Sequence, residues 1–404
     1  MKVAIYGLPR SGKDFFITHL DKVIHIQGSK WLDERSNGKF KSLPEHDKET
    51  IRKDFIRFVN QQIGKHLVVD GHYSFPDMNG TFRVVFTEDD ADCYDLFVYL
   101  DTPSNKNLER LQNSDKNEKY RGLRTQDIDA WKNFEIEGLR KECVMRDKDL
   151  VIFDSDIPAA LEYFNLILKK EPITDTIANA KKIVQDIINN SSGKNIICLL
   201  DCDRTLALND VTYDFLTYAG ISPTIMKETF GDNRYSSYQF WKMAVRYSMV
   251  NNYDYYCSKA AKGVSLNWPL INDVKLIHRC YFVGITSGLY KSWEIIRQSN
   301  GFPDVIIGGS NFNTDRLVVS DMLKGYIAKF LRERGKRVVA VGDSMNDYIM
   351  LEMADNSYVV ATQKISSSLQ TYLLANRHSI KQPVYNKFFF HGVDVVGSIH
   401  EDII

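Results

Sequence analysis

Two aspartates stand two residues apart in Leu199-Leu200-Asp201-Cys202-Asp203-Arg204-Thr205-Leu206, directly after an apolar run of buried-strand type. Both carboxylates therefore leave the sheet edge in one loop, which gives one acid to attack and another to manage protons. Further along come Gly284-Ile285-Thr286-Ser287-Gly288, then Lys324 in Leu323-Lys324-Gly325, then Val341-Gly342-Asp343-Ser344-Met345-Asn346-Asp347. The order is acid pair, hydroxyls, lysine, acid pair. A carboxylate attacks a dianionic phosphate only when a divalent cation and an ammonium cancel the repulsion, so these four elements read as phosphate-ester chemistry with Mg²⁺.

A second chemistry-bearing stretch lies near the N-terminus: Gly7-Leu8-Pro9-Arg10-Ser11-Gly12-Lys13-Asp14, after an apolar run and before a helical pattern. In that context the glycines let backbone N–H groups converge on phosphate oxygens, the helix N-terminus adds its dipole, and Lys13 neutralises the β- and γ-phosphates. Asp14 stands where a Ser or Thr hydroxyl normally ligates Mg²⁺. A carboxylate there can bind the metal directly and repels the nucleotide without it. Asp70 ends the run Leu67-Val68-Val69-Asp70 and precedes Gly71-His72, a place from which it can hold Mg²⁺ through water. Arg110, Arg121 and Arg124 follow the third predicted strand and suit a lid closing over transferring phosphates. On the acceptor side, Asp33 or His72 is available as a base.

Motifs of this kind need sheet ends to hold them. Short apolar runs at Lys2 to Tyr6, Leu67 to Asp70, Leu96 to Leu100 and Leu150 to Phe153 alternate with segments of helical length. A second series opens at Asn195 to Leu200 and continues at Tyr281 to Ile285, Val305 to Ile307, Val338 to Val341 and Tyr358 to Val360. Each series predicts a parallel sheet covered by helices, so the fold class is α/β: two Rossmann-like parallel-sheet domains. The expected organisation is a first domain over 1–170, a helix and turn-rich joint over 171–194, and a second domain over 195–404. Within the second, about 207–275 carries many aromatics and no convincing strand, which predicts a helical cap inserted after the first acid pair. The stretch from about Gln363 is expected to pack back on the second domain as an aromatic-bearing tail.

The first block, about residues 1 to 165, resembles the adenylate-kinase-like P-loop kinases of nucleosides and nucleotides. That resemblance implies ATP or another NTP as donor, phosphate contacts from Lys13, Arg110, Arg121 and Arg124, and Mg²⁺ served by Asp70. The second block, about 195 to 365, resembles the haloacid dehalogenase superfamily of phosphatases, and its Gly342–Asp347 run and Lys324-Gly325 pair are most similar to the phosphoserine-phosphatase-like branch. By that likeness Asp201 is the nucleophile that forms an aspartyl-phosphate, and Asp203 protonates the leaving oxygen and then activates water. Ser287 (or Thr286) and Lys324 bind the phosphoryl group. Asp343, with Asp201 and the Asp203 carbonyl, holds Mg²⁺, and Asp347 orients Lys324 or assists the metal. Arg204 departs from the small or uncharged residue expected there and is placed to read a second anionic group on the substrate.

A kinase followed by a phosphatase is also the order in polynucleotide kinase-phosphatases, and the composite resembles them. The implied function is a bifunctional enzyme of nucleic-acid ends, with 5′-hydroxyl kinase and 3′-phosphatase activities, or of nucleotides. The alternatives are a small-molecule nucleoside or nucleotide kinase-phosphatase, and a phosphatase gated by a kinase-dead nucleotide-binding domain.

Composition bounds these readings. The chain has 404 residues, 44% hydrophobic and 26% charged, enough apolar material for two or three cores. Its 52 Lys and Arg balance 52 Asp and Glu, so no global attraction to nucleic acid or anionic membrane is built in. No apolar run approaches the ~20 residues that cross a bilayer. The six cysteines form no CxxC and have no His at zinc-ligand spacing, which predicts a reducing, cytoplasmic setting without structural zinc.

Overall fold

The computed structural model describes residues 1–404 except 65, 78–79, 115–119, 232–233, 310, 312, 314–315, 377–378 and 404. The chain divides into two compact units, Met1–Glu171 and Pro172–Ile404.

The first unit contains β1 (Lys2–Tyr6), β2 (Val23–Gln27), β3 (His66–Asp70), β4 (Ser74–Pro76), β5 (Phe82–Val84), β6 (Leu96–Leu100) and β7 (Asp149–Phe153). Five of them make a parallel sheet in the order β2-β3-β1-β6-β7, and β4 pairs antiparallel with β5. β6 and β7 are buried along their whole length, as strands covered on both faces must be. Because β1 lies between β3 and β6, the strand order reverses there and a crevice opens beyond its C-terminal end. The glycine loop begins at that point.

A helix over Thr125–Met145 covers this sheet, burying Ile128, Trp131, Leu139 and Cys143 at helical spacing. It also buries three charged residues, of which Lys132 and Glu135 bond to strand ends. Lys132 Nζ donates to Asp101 Oδ1 (2.7 Å) and to the Thr102 carbonyl (3.1 Å), which fixes the end of β6. Glu135 accepts from the Ser74 N–H (2.9 Å), the Ser74 hydroxyl (3.0 Å) and the Tyr99 hydroxyl (3.0 Å). Burial nevertheless pushes the Glu135 carboxyl up to about 7.

The second unit contains β8 (Ile196–Asp201), β9 (Cys280–Ile285), β10 (Val305–Ile307), β11 (Arg337–Gly342), β12 (Asn356–Val359), β13 (Lys381–Pro383) and β14 (Asp394–Val396). They form one parallel sheet in the order β10-β9-β8-β11-β12-β13-β14. The order reverses at β8, where Leu200 lies opposite Val341 of β11, so Asp201 and Gly342 leave the sheet side by side. Between β8 and β9 come helices over Val211–Tyr218, Thr224–Phe230, Ser237–Ser248, Tyr253–Lys262 and Trp268–Val274. Their aromatics divide between core and surface. Phe215, Tyr238, Trp241 and Tyr247 are buried, whereas Tyr213 and Tyr255 are exposed.

Two features differ from the sequence reading. The helix Thr176–Asn190, expected as part of a joint, groups with the second unit and buries Ala180, Ile183, Val184 and Ile187. The expected C-terminal tail extends the sheet as β13 and β14, and a last helix, Ile399–Ile403, returns Ile399 and Ile403 to the core. Asp273 secures that helix by accepting from the Ile399 N–H (2.7 Å) and the Tyr385 hydroxyl (2.8 Å). Among the described residues, no helix is long and apolar enough to cross a membrane.

The buried Glu135 gives the first unit a pH signature. The folded state holds its proton up to about pH 7, whereas the unfolded chain releases it near 4.5, so stability falls as pH rises through that window. Hydrogen exchange of the β1, β3 and β6 amides in the full chain, corrected for intrinsic exchange, is expected to lose on the order of 1–3 kcal/mol between pH 5 and 8. Glu135→Gln, which keeps an acceptor for Ser74, is expected to flatten the slope. An equal slope in both proteins would show that another group titrates.

Candidate phosphoryl-transfer sites

In the second unit the chemistry gathers at the C-terminal ends of β8 and β11. Lys324, on the helix Asp321–Glu333, is fully buried, and its Nζ lies 2.7 Å from Asp201 Oδ1 and 2.7 Å from Asp347 Oδ1. Burial opposes its charge, but Asp201 and Asp347 outweigh it and hold the ammonium well above its ordinary range. The other Asp347 oxygen accepts from the backbone N–H groups of Asp343 (3.2 Å) and Ser344 (3.1 Å), so one carboxylate ties the lysine to the β11 loop. Oxygens of Asp201, Asp343 and Asp347 lie within 4.8 Å of one another.

This donor set fits Mg²⁺. All three donors are hard carboxylate oxygens, the kind that cation prefers. Burial pushes Asp201 up to about 6 and raises Asp343 well above the ordinary carboxylate range, an electrostatic deficit that a divalent cation would relieve.

Asp203 leads into the helical insertion, accepting at Oδ1 from the N–H of Val211, the first residue of the first helix there (2.7 Å). Burial, then Asp210 and Asp201, push it up to about 8, so near neutrality it carries a proton it can give. The two hydroxyls after β9 have different partners. Thr286 Oγ1 accepts from the Gly288 N–H within its own loop (3.0 Å), whereas Ser287 Oγ accepts from Asn346 Nδ2 across the pocket (2.8 Å). Arg204 adopts φ +60°, with Nε 3.4 Å from Asp343 Oδ2 and 3.9 Å from Asp210 Oδ2.

In the first unit, Gly7 and Gly12 take φ +149° and +98°, conformations that side chains rarely adopt. The loop is held from outside: Thr102 Oγ1 donates to the Ser11 carbonyl (2.6 Å), Asn107 Nδ2 to Pro9 (3.0 Å) and Arg110 to Arg10 (3.4 Å). Lys13 Nζ donates to the carbonyls of Gly7 (2.7 Å) and Leu8 (3.2 Å). Burial lowers its ammonium to about 8 despite Glu135, Asp70 and Asp14 nearby.

Below the loop lies a cleft of about 1950 Å³, lined by Arg10, Ser11, Gly12, Lys13, Asp14, Asp33, Asp70, His72 and Arg110 among others. Asp14, His25 and Asp70 bring ligand atoms within 4.8 Å of one another, and His25 Nε2 is 2.9 Å from Asp70 Oδ1. Two oxygens and an imidazole there would also accept a divalent cation.

Not every expected residue comes together. Arg121 and Arg124 are exposed and do not line the cleft. Arg124 instead opens the helix Thr125–Met145: its N–H donates to Asp127 Oδ2 (2.8 Å) and its guanidinium pairs with the same carboxylate (3.3 Å). A helix start needs its free N–H groups satisfied, and Asp127 serves that need. Part of the expected lid, 115–119, lies outside the described residues. Sequence reasoning passed over His25, Glu135, Asn346 and the clamp made by Thr102 and Asn107. Thr102 follows the β6 strand end and Asn346 stands inside the acid motif, so both carried a positional signal. His25 and Glu135 carried none.

The chain can now be set beside known proteins. Residues 323–367, which contain Lys324, Asp343 and Asp347, match the family of haloacid dehalogenase-like hydrolases. No curated protein matches the chain. Among solved structures, a haloacid dehalogenase family hydrolase from Salmonella enterica serovar Typhi is 15% identical with a TM-score of 0.35, over 44% of this chain, which spans 65% of that protein's length. A shikimate kinase from Bacteroides thetaiotaomicron is 14% identical with a TM-score of 0.30, over 42% of this chain and 98% of its own. A chain of the Pnkp1/Rnl/Hen1 RNA repair complex is 12% identical with a TM-score of 0.25, over 87% and 91%. The stretch that matches the haloacid dehalogenase-like hydrolases thus carries Lys324, Asp343 and Asp347, three members of the acid–lysine cluster described above.

Proposed function

We propose that the second unit hydrolyses phosphate monoesters through an aspartyl-phosphate, and that the first unit transfers the γ-phosphoryl group of ATP, with nucleic-acid ends as the substrates of both. The observation that carries the first half is the buried Lys324 held between Asp201 and Asp347, with Asp203 two residues beyond the end of β8.

An Asp201 oxygen attacks phosphorus, the bond to the leaving oxygen breaks, and Asp203 gives that oxygen its proton. Water then yields a proton to Asp203 and attacks phosphorus, which frees Asp201 and phosphate. Lys324 and Ser287 bind the phosphoryl oxygens, and Asn346 fixes the Ser287 hydroxyl. Asp201, Asp343 and the Asp203 carbonyl hold Mg²⁺, which when bound supplies the charge neutralisation that lets one anion approach another.

In the first unit the clamped loop presents its N–H groups to the donor phosphates, while Lys13 exchanges the Gly7 and Leu8 carbonyls for phosphate oxygens. Arg110 stands at the loop to meet transferring charge, and Asp70 with Asp14 serves the metal. Asp33 or His72 takes the acceptor proton. A cleft of about 1950 Å³ exceeds the ~300–1,000 Å³ of a typical single-ligand site, which leaves room for donor and acceptor together. Lys41, Lys48, Arg52 and Arg83 line it as well, local cations that suit the backbone of a strand end on a chain without net charge.

Two results are expected. Asp203→Asn slows release of the alcohol from an alkyl phosphate in the first turnover about 10²–10⁴-fold but first-turnover release of nitrophenolate from p-nitrophenyl phosphate far less, because nitrophenolate leaves without a proton. Equal losses on both esters would remove Asp203 as the acid. For the kinase, labelled ATP and Mg²⁺ are incubated with oligonucleotides, nucleosides and nucleotides in an Asp201→Asn background that preserves product. Label is expected on 5′-hydroxyl oligonucleotides, falling steeply with salt and abolished by Lys13→Ala. Label confined to nucleosides or nucleotides would contradict the substrate reading. Nucleotide binding without transfer to any acceptor, while ester hydrolysis persists, would leave the first unit as a regulator.

A further inference from the structure

Arg204 takes no part in the hydrolysis just described, yet the fold holds it at some cost. Its φ of +60° is uncommon for a residue with a side chain, and strain of this kind persists where the surroundings over-determine it. Here they do: the Arg204 N–H donates to the Asn209 carbonyl (3.2 Å), and its own carbonyl accepts from Thr362 Oγ1 (3.1 Å). The side chain is thereby aimed into the acid cluster. Its Nε lies 3.4 Å from Asp343 Oδ2 and 3.9 Å from Asp210 Oδ2, and is buried without a hydrogen bond. Charge rather than a seated fork holds it, which is an attachment easily exchanged.

The carboxylate it neutralises is one that, on the reading above, holds the metal. Asp343 thus has two competing cations, one built into the chain and one from solution. A divalent ion shared by Asp201 and Asp343 would repel a guanidinium on the second Asp343 oxygen. We propose that Arg204 is an internal counter-ion to Asp343 that a divalent cation displaces, and that the released guanidinium then meets an anionic group of the substrate. Metal and substrate anion are therefore coupled through one side chain, and the coupling is reciprocal. In the absence of metal, Arg204 keeps Asp201, Asp203, Asp210 and Asp343 from facing one another unneutralised; once metal arrives, it adds a second positive group for the substrate beside the one that Lys324 gives the phosphoryl oxygens.

The inference rests on the metal reading of Asp343, so the test separates the two. Mn²⁺ binding to the full chain is followed by electron paramagnetic resonance, and the site that Asp343→Asn removes is the one in question. At that site Arg204→Gly, which suits a positive φ, is expected to bind Mn²⁺ about tenfold tighter, whereas Arg204→Lys stays near wild type. Inorganic phosphate is expected to tighten Mn²⁺ binding in the wild type severalfold and to lose most of that effect in Arg204→Gly. Unchanged or weaker Mn²⁺ binding in Arg204→Gly would overturn the inference alone. If Asp343→Asn removes no Mn²⁺ site, the metal reading falls and the inference with it. A drop in the unfolding temperature of Arg204→Gly in EDTA that Mn²⁺ reverses is expected; a drop that Mn²⁺ leaves in place would assign Arg204 a purely structural role.

Discussion

A buried ammonium between two buried carboxylates governs the second unit. Asp201, Asp203 and Asp343 leave neighbouring strand ends, and burial raises the carboxyl of each above the ordinary range. Lys324 makes the arrangement tenable, and it also dictates geometry. By bonding Asp347, whose other oxygen collects the N–H groups of Asp343 and Ser344, it sets the β11 loop against the end of β8. The parallel register of β8 and β11 then brings the nucleophile candidate and the metal-ligand candidate out side by side. A buried ion network of this kind is weak evidence for stability and stronger evidence for a job that needs fixed charges.

The two units use one topological device for opposite electrostatic ends. In each, the strand order reverses at the first strand, β1 or β8, and the motif leaves from that strand. The first unit then surrounds its crevice with backbone N–H groups and a lysine resting on carbonyls, a surface that favours anions. The second surrounds its crevice with carboxylates that wait for cations. The contrast is sharpest in the two lysines. Lys13 is lowered by burial and held by neutral carbonyls, so its contacts can be exchanged for a ligand's oxygens. Lys324 is raised by two carboxylates and stays where it is.

Much of this was legible in the residues, and the failures have physical causes. β1 and β6 appear at the expected residues because strands covered on both faces are apolar runs. β2 was missed because Val-Ile-His-Ile-Gln at a sheet edge carries a polar residue mid-run and is only half buried. β13 and β14 were missed because Lys-Gln-Pro and Asp-Val-Val are short and, unlike Val-Ile-Ile of β10, are not unbroken apolar runs. Motif residues fixed by strand ends, such as Asp201, Asp203 and Asp343, were readable because their positions follow from the sheet. The exposed place of Arg124 was not readable because it depends on where a helix starts, and Asp127 decides that through a cap. Glu135 sits in an ordinary helical pattern, and only the packing reveals that it meets Ser74 and Tyr99.

The claim on which the account turns is covalent chemistry at Asp201. Its most direct test is to quench the full chain in acid during turnover of a phosphate monoester with Mg²⁺, reduce with borohydride and map the products by mass spectrometry. An acyl phosphate at Asp201 reduces to an alcohol, so the account predicts homoserine at position 201, absent without substrate and absent from Asp203. Unmodified Asp201 while hydrolysis proceeds, or homoserine at a different aspartate, would contradict it.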